Sequence, residues 1–333
     1  MVRPWIAVGA WIALVVATAR PAAGTLPEPT AVLEELGFSA RQIHQVHAGS
    51  IVQARIEPSS ERELVVAFAF RVKLTPAELV EQMRSGVLDR MVLNASVHPL
   101  IENPPTLASF AQLALGPDAQ ARAQAYTNAK PGRTLNLSHA EIARFDALRS
   151  GSPSALLQEV QNALLTRLQE YRVRGLAGIA PYARSDSKLL FPGDELRIAA
   201  LAAKQSQALS PAALQHLLAY PADMAPGTRE DFRWSEVRLH DLPTLTMTHR
   251  LAIPDGEGWV VAQRQFYVST GYNCEQSIAR YLPMRDGTLV IYTNRASTDE
   301  VLGFGGGVKR DIGNRVLAWR LEDLYGRYQA RLR

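Results

Sequence analysis

"TLTMTHRLAIPDGEGWVVAQRQFYVSTGYNCEQSIARYLPMRDGTLVIYTNR", residues Thr244 to Arg295, decides the fold. Its first ten residues alternate. Leu245, Met247, His249, Leu251 and Ile253 share one side, and Thr244, Thr246, Thr248 and Arg250 the other, the period of two that a strand imposes. "PDGEG", "TGYN" and "MRDG" interrupt the alternation at turn-forming residues, Asp286-Gly287 among them. The stretch therefore reads as a β-meander.

Beyond Arg295 the spacing changes. Val308, Ile312, Val316 and Trp319, then Leu321, Leu324, Tyr325, Tyr328 and Leu332, recur as on a helix, which is expected to lie on the sheet. Upstream, "SIVQARIE" (Ser50–Glu57) and "RELVVAFAFRV" (Arg62–Val72) read as a hairpin. Between hairpin and meander the chain is mainly helical. Thr75-Pro76-Ala77-Glu78 and Ser138-His139-Ala140-Glu141 are capping boxes, and Ser210-Pro211 opens a further helix. Leu157, Val160, Leu164, Leu168 and Tyr171 form a helical stripe within Ser154–Arg174.

The predicted fold class is α+β: an antiparallel sheet with an early hairpin, a large helical insertion, a C-terminal β-meander and a terminal helix packed on the sheet. The divisions are 1–24, 25–225 and 226–333, the last two forming either separate units or one domain.

At the N-terminus Arg3 precedes "WIAVGAWIALVVATA" (Trp5–Ala19), an apolar run of signal-peptide length. Ala22-Ala23-Gly24 supplies a small-x-small cleavage site. The run falls short of the roughly 20 residues of a membrane span, so an exported protein, periplasmic or secreted, is expected. No stable membrane span should remain after signal removal; an uncleaved anchor is the alternative. Cys274 is the single cysteine of the chain, which excludes an intrachain disulfide. The net charge of +4 falls by two to +2 when Arg3 and Arg20 leave with the leader. So small a charge, with no basic run interleaved with aromatics, argues against a nucleic-acid partner.

"RQFYVSTGYN", "GTLVIYTNRASTDEVLGFGGGVKRDIG", "LSHAEIARFDAL" and "YRVRGLAGIAPYAR" resemble a family of exported bacterial proteins of undefined activity, over about Ser138 to Gly313. The resemblance implies export and carries over no site residue. The sheet-then-helix order of Phe232–Leu332 also resembles the helix-grip topology of START-type lipid-binding domains, although a large helical insertion departs from it.

Chemistry is sparse in the sequence. HExxH and GxSxG are absent, and neither a cofactor nor a metal site is expected; His44 and His47 lack a third ligand at metal spacing. Cys274 adjoins Glu275, which would raise its pKa rather than activate it. "GFGGGVKRDIG" (Gly303–Gly313) reads as a hinge, or else as an anion-cradling loop. "GIAPYAR" reads as a rigid loop with Tyr182 and Arg184 exposed.

Strand parity gives the sharpest signal. His249, Arg264, Arg280 and Arg295 share faces with apolar residues. Buried guanidinium groups demand partners. One reading is a cavity between the sheet and the C-terminal helix that binds a small amphipathic or anionic ligand, with His249, Arg264, Tyr267, Arg280, Tyr281 and Arg295 as contacts. The other is that the arginines face water. A hydrolase of unrecognised mechanism and an envelope protein-protein interaction module remain as alternatives, and the oligomeric state is open.

Overall fold

The structure is a computed structural model. It describes residues 29–91, 95–97, 100–116, 118–205, 209–239 and 242–331, so the expected leader lies outside the described residues. In chain order the elements are α1 (Pro29–Glu35), α2 (Ala40–His47), β1 (Val52–Ala54), β2 (Glu63–Val72), α3 (Pro76–Arg84), β3 (Ala95–Val97), α4 (Ala119–Thr127), α5 (His139–Ala147) and α6 (Pro153–Arg174). They continue as β4 (Tyr182–Ala183), β5 (Leu189–Leu190), α7 (Pro192–Gln205), α8 (Pro211–Ala219), β6 (Arg229–Leu239), β7 (Leu242–Asp255), β8 (Gly258–Val268), β9 (Cys274–Met284), β10 (Gly287–Ser297) and α9 (Gly306–Arg331).

Among the described residues eight strands form one antiparallel sheet in the order β1-β2-β10-β9-β8-β7-β6-β3. The meander β6 to β10 makes its body, because short turns between successive long strands close antiparallel neighbours most directly. The early hairpin joins it through β2, which pairs with β10 from Val72↔Thr288 to Glu63↔Ser297. The first strand is shorter than expected, three residues instead of the whole of Ser50–Glu57. The β9–β10 turn also differs in detail. Met284 pairs with Gly287 across Arg285-Asp286, and only Gly287 takes a positive φ (137°).

Helices cover both faces. On one face α1, α2 and α5 to α8 bury Val32, Val46, Phe145, Leu168, Leu196 and Leu217 against Leu251, Ile253, Val260, Ile278, Leu289 and Ile291. On the other, α3 and the second half of α9 bury Leu79, Val80, Met83, Ala318 and Tyr328 against Phe68, Phe70, Val261, Tyr281, Val290 and Tyr292. Both capping boxes form: Thr75 accepts from Glu78 N and Ser138 from Glu141 N.

One expectation reverses along α9. The helix forms as its spacing predicts, but Val308, Ile312, Val316 and Trp319 face outward. Leu317, Ala318, Leu321, Tyr325 and Tyr328 are the residues that meet the sheet. A stripe of apolar residues states that a helix has an apolar side; it does not say what that side touches.

Candidate functional site

Register builds a polar row across an otherwise apolar surface. His249 pairs with Arg264, Arg264 with Gln276, and Gln276 with Arg295, crossing β7, β8, β9 and β10. All four residues are buried, so the water-facing reading of these arginines does not hold. The face is the one under the helical insertion, with Leu251, Ala262, Ile278 and Ile291. The terminal helix lies on the opposite face, so His249, Arg264, Arg280 and Arg295 do not point toward it. The space lined by Tyr281, Tyr325 and Tyr328 on that side is a void of about 20 Å³, too small for an organic ligand.

At one end of the row stands an aromatic box. Phe232 stacks on the His249 ring at 4.4 Å and Tyr220 lies tilted at 4.4 Å. Tyr171 stacks on Phe266 at 4.2 Å. Arg264 Nη1 donates to the Tyr171 hydroxyl (3.5 Å), which leaves that hydroxyl to donate to His249 Nδ1 at 2.8 Å. His249 Nε2 then faces Glu230 Oε1 at 3.3 Å, outside good hydrogen-bond alignment, and Tyr220 donates to the same oxygen at 2.6 Å. Burial pulls His249 down to about 4, the nearby Glu230 notwithstanding. Burial alone would raise Glu230; the contact with His249 and the bond from Tyr220 outweigh it and leave the carboxyl below its ordinary value. The imidazole is thus neutral near pH 7, held by Tyr171 at Nδ1 and facing Glu230 at Nε2.

Arg264 is satisfied inside the protein. Its Nε donates to Gln276 Oε1 at 2.8 Å and its Nη2 to the Leu217 carbonyl at 2.7 Å. Gln276 Nε2, on the far side of that amide, has no hydrogen-bond partner.

At the other end Arg295 Nη1 donates to Glu63 Oε2 at 2.6 Å and lies 3.4 Å from Ser59 Oγ, while its Nε has no hydrogen-bond partner. Burial lowers its pKa against the opposing pull of Glu63. Here the row opens. Arg295, Thr293 and Ile291 line a half-open cleft of about 340 Å³ walled by Leu36, Phe38, Ile56 and Ala202.

The remaining expected residues are placed elsewhere. Arg280 lies 3.3 Å from Asp255, paired with Val260 and so four register positions from Arg264 on the same face. Tyr281 is on the opposite face. Tyr267 reaches the helical face because a bulge at Met247/Thr248 leaves Phe266 unpaired and shifts the phase of β8. There its ring packs under Arg167, 4.3 Å from the guanidinium carbon, and Arg167 forms a two-pronged pair with Glu141 (2.7 and 2.6 Å).

"GIAPYAR" is also corrected. Tyr182 is fully buried, and Arg184 bonds Asp299 Oδ2, Asn136 Oδ1, Asn273 Oδ1 and the Gly132 carbonyl, each at 2.8 Å. Those four acceptors lie on three segments far apart in sequence, the α4–α5 connection and the stretches before β9 and after β10, so no local pattern could announce them.

No family model, curated protein or solved structure matches this chain.

Burial pushes the Cys274 thiol well above its ordinary value, and Glu195 and Glu275 add to the shift. The sulfur therefore stays protonated and lacks the thiolate a nucleophile requires. Among the described residues no group of three or more His, Cys, Asp or Glu has metal-holding geometry, and no helix is long and apolar enough to cross a membrane.

Proposed function

We propose that the chain is an exported binding protein for a small amphipathic molecule with an acceptor-bearing head, such as a carboxylate, and that the ligand sits in the cleft at Arg295. The observation that carries the proposal is a pair of buried donors without partners, Gln276 Nε2 and Arg295 Nε, on neighbouring positions of one register row that ends at a cleft of about 340 Å³. Buried donors without acceptors are costly, and an acceptor entering from the cleft relieves the one on Arg295. Leu36, Phe38, Ile56 and Ile291 supply an apolar wall for the tail. Export rests on the leader pattern of Arg3 and Trp5–Ala19.

Decanoate and decyltrimethylammonium have comparable tails and opposite heads, so titration calorimetry with both separates a head-specific cleft from a greasy one. Decanoate is expected to bind more tightly. The double variant Glu63→Gln/Arg295→Met removes the cation without stranding its buried partner. It should weaken decanoate binding at least about tenfold, the value of one charge-assisted hydrogen bond, with a melting temperature close to wild type. Equal binding of both amphiphiles, or an unaffected double variant, would refute the proposal.

A further inference from the structure

The first half of α9 turns its apolar side away from the protein. Val308, Ile312, Val316 and Trp319 are 66%, 56%, 46% and 68% exposed, and Phe304, at the tip of the glycine turn before the helix, is fully exposed. The spacing of 4, 4 and 3 residues sets the four helical side chains along one face. So large an apolar patch on a surface marks something that it touches.

Charge decides what that is. From Phe304 to Arg320 the segment carries Lys309, Arg310, Arg315 and Arg320 against the single acid Asp311. Lys309 and Arg320 flank one side of the stripe and Arg315 the other, and all three are exposed. Glu322 and Asp323 follow beyond the end of the stripe. An apolar strip bearing an aromatic at each end, rimmed by cations, is the pattern of a helix that lies in a lipid interface. A second copy packed antiparallel would instead bring the Lys309–Arg320 rims of the two copies together, with Asp311 on the Arg315 side alone to offset them.

We propose that the Phe304–Arg320 segment lies flat on an anionic membrane surface. Phe304 and Trp319 enter the acyl boundary while Lys309, Arg315 and Arg320 meet lipid phosphates. This requires no spanning helix and is independent of the cleft at Arg295.

The test uses the full chain with vesicles of phosphatidylglycerol or phosphatidylcholine bearing brominated acyl chains. The Trp319 signal is read as the difference between wild type and Trp319→Phe, so attachment through any other apolar stretch does not produce it. Bromolipid quenching of that signal is expected on phosphatidylglycerol, weak on phosphatidylcholine, and reduced by added salt. The triple variant Lys309→Glu/Arg315→Glu/Arg320→Glu should lower the partition coefficient roughly a hundredfold or more. Trp319 left unquenched on phosphatidylglycerol, or a triple variant quenched like wild type, would overturn the proposal. So would protection of Trp319 from acrylamide that grows with protein concentration in the absence of lipid, which identifies a second copy as the occupant.

Discussion

His249 is the residue whose surroundings have the most direct consequence for stability. Its folded pKa of about 4 lies below the ordinary value of 6.5. Above pH 6.5 the ring is neutral in both folded and unfolded chains. As pH falls from 6.5 toward 4, the unfolded chain takes up a proton that the folded one refuses, so stability is lost across that window. A separation of this size corresponds to about 3 kcal/mol. Glu230, Arg264 and Arg172 all face the ring, and burial also raises the Glu195 and Glu275 carboxyls, which bring a pH dependence of their own. Comparison with a His249→Gln variant cancels the contribution of those two carboxyls. Urea unfolding at several pH values should show wild type losing up to about 3 kcal/mol more than the variant between pH 6.5 and 4; parallel losses would show that His249 is protonated in the folded protein. Alternation alone placed His249 and Arg264 on the apolar side. It could not reveal Tyr171, Glu230 or Leu217 as their partners, because those come from α6, β6 and α8, far away in sequence.

At the scale of elements, α6 shows how a turn shapes the aromatic box. Gly175 ends the helix with φ 57° and ψ −137°, and a Cβ there would strike the Tyr220 carbonyl oxygen. That close approach lets Tyr171, one turn earlier, lie 5.4 Å from Tyr220 beside His249. Gly116 also has positive φ (71°) but open space around its Cβ position, so it separates backbone strain from collision. Gly116→Ala should cost about 1 kcal/mol and Gly175→Ala at least about 2 kcal/mol more, read from urea midpoints at constant slope. Equal costs would mean that the loop around Tyr220 yields freely. Local signals served the elements well where chemistry is local, as at the Thr75 and Ser138 caps. They failed for the β6 strand "REDFRWSEVRL", whose charges interrupt the alternation and whose other neighbour in the sheet, among the described residues, is the three-residue β3. They failed also at the β8 bulge, which needs the partner strand to be seen.

The whole molecule raises the question of whether residues 25–225 form a unit apart from the meander. One apolar cluster runs from Val32 and Phe38 through Leu168 and Leu217 to Leu251 and Ile291, so the helical layer completes its core only against the sheet. Polar ties cross the same boundary. Arg184 joins the β4–β5 hairpin to Asp299, which follows β10, and to Asn273, which precedes β9. Arg62 meets the other Asp299 oxygen at 2.8 Å. A helical part that cannot bury its stripes alone should melt together with the sheet. Far-ultraviolet dichroism at a helix band and the fluorescence of Trp234, which β6 buries beside Phe110, should therefore report one midpoint. Arg184→Met would leave Asp299, Asn136 and Asn273 short of a donor, so both probes should shift down together by about 2 to 4 kcal/mol of stability. If the helix signal melts apart from Trp234, or Arg184→Met moves only one of them, the two parts are independent units and the shared cluster is a contact rather than a common core.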